Sequence, residues 1–145
     1  MELVHCIYCS AAKGGAIAAA ELSAILADAR RNNARLEVSG MLLYEDGAFF
    51  QILEGDRTVV EGLFDKIFSD PRHGRVTKIV LEPIANRSFA EWTMGYPRIT
   101  RAELSTIPGL NDFFGRGHSF LELEEGRAKT LLDAFKEGRW RLSMQ

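Results

Sequence analysis

Two apolar runs, Leu36 to Tyr44 and Ala48 to Leu53, are separated only by Glu45-Asp46-Gly47. An Asp-Gly pair between two strand-like runs is a strong hairpin signal. Neither run alternates apolar with polar residues. Both are apolar at nearly every position, so the sheet they build is expected to be covered on both faces. At roughly 100–200 residues per domain, a chain of 145 residues supplies one domain with a sizeable core. That length leaves no room for a two-domain dinucleotide enzyme.

The flanking segments supply partners for such a hairpin. Leu3 to Cys9 reads as a strand with Val4, Cys6 and Tyr8 on one face and Leu3, His5 and Ile7 on the other. The stretch Ser10 to Gly15 reads as a connector, and no G-K-[ST] follows to make it a phosphate loop. Between Ala18 and Asn32, residues Leu22, Ile25, Leu26 and Ala29 mark one buried helical stripe, which Asn32-Asn33 is expected to end. Val60, Leu63, Phe64 and Ile67 mark a second stripe, stopped by Asp70-Pro71. Val76 to Leu81 and Phe89 to Gly95 read as two more strands. The order β-α-β-β-α-β-β predicts an α+β, ferredoxin-like fold: a five-stranded mixed sheet with two helices on one face. Residues 1–97 account for this domain. Residues 98–145 form a helical extension with a capping box at Thr100-x-x-Glu103, a break at Pro108-Gly109, and an amphipathic helix from Arg127 to Gly138 carrying Leu131, Leu132 and Phe135. These helices are expected to cover the second face of the sheet or to bind a partner.

Composition narrows the function classes. Eighteen Lys and Arg against 20 Asp and Glu give net −2, so nothing drives the chain electrostatically toward nucleic acid or anionic membrane. No apolar run approaches the roughly 18 residues of a spanning helix, and the start lacks a signal peptide's basic and apolar regions; a cytoplasmic location is expected. Cys6 and Cys9 form C-x-x-C, but on a strand residues three apart face opposite sides, and no further ligands complete a metal set. Ordinary buried thiols are expected. His73 has only His5 and His118 as co-ligands, so no metal site is expected either.

The residues that stand out are polar groups placed where sheet physics favours apolar ones. Gln51 interrupts the run Ala48 to Leu53 and shares the face of Phe49 and Leu53 by period two. A buried amide needs partners for two donors and an acceptor, at about 1–3 kcal/mol per unmet group. Tyr8 can supply one, and an ordinary core hydrogen bond accounts for the pair as well as a functional one does. Asn32-Asn33 reads first as a helix C-cap, although two adjacent amides also match the polar edge of a planar heterocycle. Arg30, Arg31 and Arg72 read as solvated arginines or phosphate contacts. No Ser-His-Asp spacing, carboxylate pair or glycine-rich cradle emerges.

Taken together, six stretches resemble the BLUF family of blue-light sensors using FAD. They are Ile7-Tyr8-x-Ser10, Arg30-x-Asn32-Asn33, Ser39-Gly40-Met41-Leu42-Leu43-Tyr44, Gly47-x-Phe49-x-Gln51-x-Leu53-Glu54-Gly55, Asp70-Pro71-Arg72-His73 and Arg87-x-Phe89-x-x-Trp92-x-Met94-Gly95. Each is weak alone; the ordered set, spanning about residues 2–97, is specific. One departure is Ala29, where many relatives carry serine, which touches one accessory hydrogen bond.

The resemblance implies a non-covalent FAD between the two helices with its ring over the sheet, walled by Ile25, Leu42 and Phe49. It implies that Asn32 and Asn33 bond the carbonyl and N3 edge of the ring, that Gln51 lies between ring and Tyr8, and that Arg30, Arg72 and His73 lie near the phosphate tail or the cavity mouth. Trp92 and Met94 share a strand face by parity, so both are expected to reach Gln51, in one of two arrangements that sequence does not separate. The implied mechanism is photochemical rather than enzymatic: Tyr8 gives an electron and a proton to the excited flavin, and the Gln51 amide ends rotated or tautomerised. The output would be a changed contact with a separate protein effector, since residues 98–145 hold no recognisable catalytic or DNA-binding segment; a homodimer stays open. Three other readings are weaker. A small flavin-dependent redox enzyme would need an acid or base on an open face, an acylphosphatase-like hydrolase a better loop than Lys13-Gly14-Gly15, and a flavin-free interaction module leaves Gln51 unexplained.

Overall fold

The structure, a computed structural model, describes residues 2–14, 17–71 and 73–136. Strand β1 (Leu3–Ala12) leads into helix α1 (Ala19–Leu36), the hairpin of β2 (Ser39–Glu45) and β3 (Ala48–Asp56), helix α2 (Arg57–Phe68) and strand β4 (His73–Pro83). The strands lie in the order β2-β3-β1-β4, each antiparallel to its neighbours. Four short elements follow: α3 (Arg101–Leu104), α4 (Asn111–Gly115), a 3-10 turn at Phe120–Glu122, and α5 (Glu125–Lys136). No helix among the described residues is long and apolar enough to cross a membrane.

Local chemistry explains the hairpin. Glu45 pairs with Ala48, and the two residues between them, Asp46 and Gly47, both have left-handed backbone with φ of 48° and 79°. That is the two-residue turn whose twist matches the strands it joins. Gly40 is required for a different reason. A Cβ there would lie 2.0 Å from the Ile52 carbonyl oxygen, so no other residue fits without moving the sheet.

Two sequence expectations fail here. The helix does not end at Asn32-Asn33 but runs on to Leu36, where Glu37 adopts the left-handed cap conformation (φ 57°, ψ 40°). Ala34, Arg35 and Leu36 are good helix formers, and Leu36 packs against the core. Among the described residues the sheet has four strands, all antiparallel, rather than five in a mixed sheet. Phe89 to Gly95 does not form a regular strand and leaves one isolated parallel bridge, Met41 to Gly95. The Trp92 and Gly95 carbonyls accept from the backbone N–H groups of Gly40 and Leu42 at 3.1 and 2.8 Å. Between them, the Thr93 and Met94 carbonyls are taken by side chains of α1. Successive carbonyls of a strand point to opposite sides, so a helix that captures two in a row excludes a ladder. The start of this segment is anchored by Glu54, which is fully buried and accepts from Ser39 Oγ (2.9 Å), Ser88 N (2.6 Å) and Phe89 N (3.0 Å).

Each face of the sheet has its own core. Val4, Cys6, Tyr8, Leu42, Phe49 and Leu53 pack with Leu26 of α1 and with Val60 and Phe64 of α2. Ile7, Cys9, Met41, Leu43, Phe50 and Ile52 pack with Leu104, Phe113, Phe114, Phe120, Leu131 and Phe135. Polar ties reinforce the second layer. Arg101 holds the Glu45 carboxylate at 2.6 Å, and Lys129 of α5 lies 3.1 Å from Glu82, which also meets buried His5 at 2.9 Å. Leu131 is fully buried in that layer, so Leu131→Ala is expected to cost about 2–5 kcal/mol. Urea unfolding measures this, and a loss under about 1 kcal/mol would contradict a packed second core.

Candidate functional site

The opposite face carries a cleft of about 160 Å³ between α1 and α2, floored by the sheet. Its floor follows from strand register. Tyr8 on β1 and Leu42 on β2 both pair with Gln51 on the central strand β3, so the three side chains lie in one row on one face. Ile25 and Ala29 from α1 and Leu63 and Ile67 from α2 form the walls, with Phe49 and Leu53 below.

Gln51 is 7% exposed, and its Nε2 donates to Met94 Sδ at 3.4 Å. A thioether is a weak acceptor, so this bond is easily exchanged for a better one. Tyr8 is buried and meets Phe64 edge-on at 5.5 Å between ring centroids. Burial, aided by Cys6 and Asp70, pushes its phenol well above the ordinary tyrosine range. The proton therefore stays on the oxygen throughout the physiological range.

The two asparagines separate in role. Asn32 lines the cleft with an exposed side chain, and among the described residues its amide takes no hydrogen-bond partner. Asn33 also lines the cleft but is buried, and its Nδ2 donates to the Thr93 carbonyl at 2.6 Å. This tertiary bond, not a helix terminus, explains an asparagine at position 33.

Arg30 does not line the cleft; its Nε donates to the Met94 carbonyl at 3.0 Å. Nor do Trp92 and Met94 share a face. Met94 is buried in the cluster beneath the cleft, whereas Trp92 packs against the cluster on the other side of the sheet. Parity fails because residues 92–95 bulge toward α1 instead of running as a strand. Arg72 lies outside the described residues, and of His73 only the backbone, opening β4, is described. Ser10, Asp28, Lys66 and Asp70 line the cleft without having been singled out. Ser10 and Asp70 belong to two of the six stretches that resemble the family, and Leu63 and Ile67 to a helical stripe. Asp28 and Lys66 carry no signal in the sequence.

The cleft suits a flat, largely apolar ligand with a polar rim. Branched and aromatic side chains flank it, the Asn32 amide, unpartnered among the described residues, lines it, and Gln51 offers a donor and an acceptor from the floor. Fold and site define an α+β domain with a cleft between two helices over one face of its sheet. The family model described as BLUF, sensors of blue-light using FAD, matches residues 3–95, and the chain belongs to that family. The photoactivated adenylate cyclase subunit beta of Euglena longa is 42% identical over 106 residues, covering 72% of this chain and 12% of the relative. The chain thus spans about an eighth of that protein's length. Among solved structures, the BlsA ground state superposes with a TM-score of 0.78 at 29% identity, over 95% of this chain and 90% of that one. BlrB, a BLUF protein in its dark state, gives 0.70 at 32% identity, over 91% and 96%.

The thiols give a pH test. Cys6 and Cys9 are free, and burial raises them from 9.0 to about 12 and about 11. A raised folded-state pKa stabilises fully below the unfolded value and is lost as pH climbs through the folded one. Stability is therefore expected to fall between pH 9 and about 12, with a slope up to about 1.4 kcal/mol per pH unit for each group. Urea midpoints at pH 8, 9.5 and 11 check this. The double variant Cys6→Ala, Cys9→Ala should show a shallower fall, and a wild-type midpoint unchanged across the series would contradict it.

Proposed function

We propose that the chain is a blue-light photoreceptor whose dark and lit states differ in how the Gln51 amide is hydrogen-bonded. The observation that carries this reading is the placement of Gln51 on the cleft floor, beside Tyr8 on one strand and against the Met94 sulfur. FAD, when bound, would supply blue-light absorption and, once excited, a strong oxidising potential. Ile25, Leu42 and Phe49 exclude water from the ring, and Asn32 with Asn33 reads its polar edge. Arg72 and His73 stay candidates for the phosphate tail.

Tyr8 gives up an electron and a proton on excitation and takes both back as the lit state forms, so no net oxidation remains. Burial keeps its phenol protonated in the dark, so a proton is always in place to leave. The Gln51 side chain is the switch. Its oxygen accepts and its nitrogen donates, so turning or tautomerising the amide exchanges donor for acceptor toward every neighbour at once. Little opposes the change, because the bond given up is to a thioether. The changed state is then passed through residues 92–95, which join the Met94 side chain to β2 and carry Trp92 onto the layer packed by residues 99–135. That layer is the proposed relay. The Euglena longa relative is named a photoactivated adenylate cyclase subunit, and by that analogy the output here is a changed contact with a protein effector.

Tyr8→Phe and Gln51→Ala should each keep bound FAD and yellow colour yet lose the reversible red shift of the flavin band. Absorption spectra before and after blue illumination decide this. A normal light–dark cycle in either variant would remove the assigned role.

A further inference from the structure

Arg30 lies one turn before Asn33 on the same stripe of α1. The two side chains hold consecutive carbonyls of one segment, Arg30 Nε on Met94 at 3.0 Å and Asn33 Nδ2 on Thr93 at 2.6 Å. The residues on either side are tied to β2, through Gly40 N to the Trp92 carbonyl and Leu42 N to the Gly95 carbonyl. Met94 is therefore fixed by its main chain between a helix and a strand while its sulfur reaches Gln51 at 3.4 Å. Arg30 forms no ion pair among the described residues, so no carboxylate competes with the carbonyl for its guanidinium. A hydrogen bond from a charged donor is about twice as strong as a neutral one, which makes this the firmest side-chain hold on residue 94.

We propose that Arg30 is a positioning residue of the light reaction: it pins the Met94 main chain so that the sulfur stays within reach of the Gln51 amide in the dark, and the bond is weakened when that amide turns. The inference rests on the photoreceptor reading above, and it assigns Arg30 to the switch rather than to the cofactor's phosphates. Return to the dark state must remake the Arg30 bond, so removing it makes the return less favourable and slower.

The test uses the full chain loaded with FAD, as wild type, Arg30→Met, which keeps the aliphatic stem without donors, and Arg30→Lys, which keeps one charged donor. Dark recovery is expected to slow about tenfold in Arg30→Met, the equivalent of about 1.4 kcal/mol, and to be partly restored in Arg30→Lys. With methionine carbonyls labelled by carbon-13, the light-minus-dark infrared spectrum of the wild type should contain a label-shifted band that Arg30→Met lacks. Dark affinities for FAD, FMN and riboflavin should change by the same factor or not at all. Wild-type recovery and an unchanged labelled band in Arg30→Met would overturn the inference. So would a loss of FAD and FMN affinity with riboflavin spared, which would return Arg30 to the phosphates. A wild-type chain that takes up FAD but shows no light-induced change would instead remove the photoreceptor reading, and the inference with it.

Discussion

The pairing of β1 with β3, in the register that sets Tyr8 opposite Gln51, is the constraint from which the site follows. Side chains on a strand alternate with period two, so slipping this register by one residue would send Tyr8 or Gln51 to the opposite face of the sheet. The register is held by the demand that first makes the hairpin legible, apolar residues on both faces. With Phe50 and Ile52 committed to one core and Phe49 and Leu53 to the other, no slipped pairing buries both sets. A polar residue at position 51 is tolerated because the rest of the strand leaves no alternative.

Two-sided burial also explains why the two faces are so unequal. One is covered by α1 and α2, set far enough apart to leave a cleft. The other is closed by aromatic packing from Phe113, Phe114, Phe120 and Phe135 and tied down by Arg101 to Glu45 and by Lys129 to Glu82. A change at Gln51 therefore has a soft side and a hard side. Residues 92–95 join them, with Met94 beneath the cleft and Trp92 against the packed layer. In the proposed account this irregular segment is the path of the signal, because successive carbonyls of a regular fifth strand would point to opposite sides and α1 could not hold those of both Thr93 and Met94.

Much of this was legible in the sequence. The hairpin, both helical stripes, the Thr100–Glu103 capping box and the faces of Tyr8, Cys6 and Gln51 rest on local periodicity and turn chemistry, which sequence carries well. What failed depended on tertiary competition. Asn33 resembles a helix stop until the Thr93 carbonyl is seen opposite it, and Phe89 to Gly95 resembles a strand until α1 is seen holding its carbonyls. For Arg30, local sequence gives no sign of its bond to the Met94 carbonyl, 64 residues away. Of the residues the resemblance points to, Ile25, Asn32, Asn33, Leu42, Phe49 and Gln51 line the cleft; it says nothing of Asp28 or Lys66, whose place depends on how the two helices lie over the sheet.

The central claim is that this cleft holds a flavin whose surroundings are rewired by light through Gln51. The most direct measurement is the absorption spectrum of the full chain, purified with FAD, recorded in the dark, under blue light and again after return to darkness. The account predicts a yellow protein whose flavin band shifts to the red on illumination and recovers fully in the dark. A chain that does not retain FAD, or one whose bound flavin gives the same spectrum in light and dark, would contradict it.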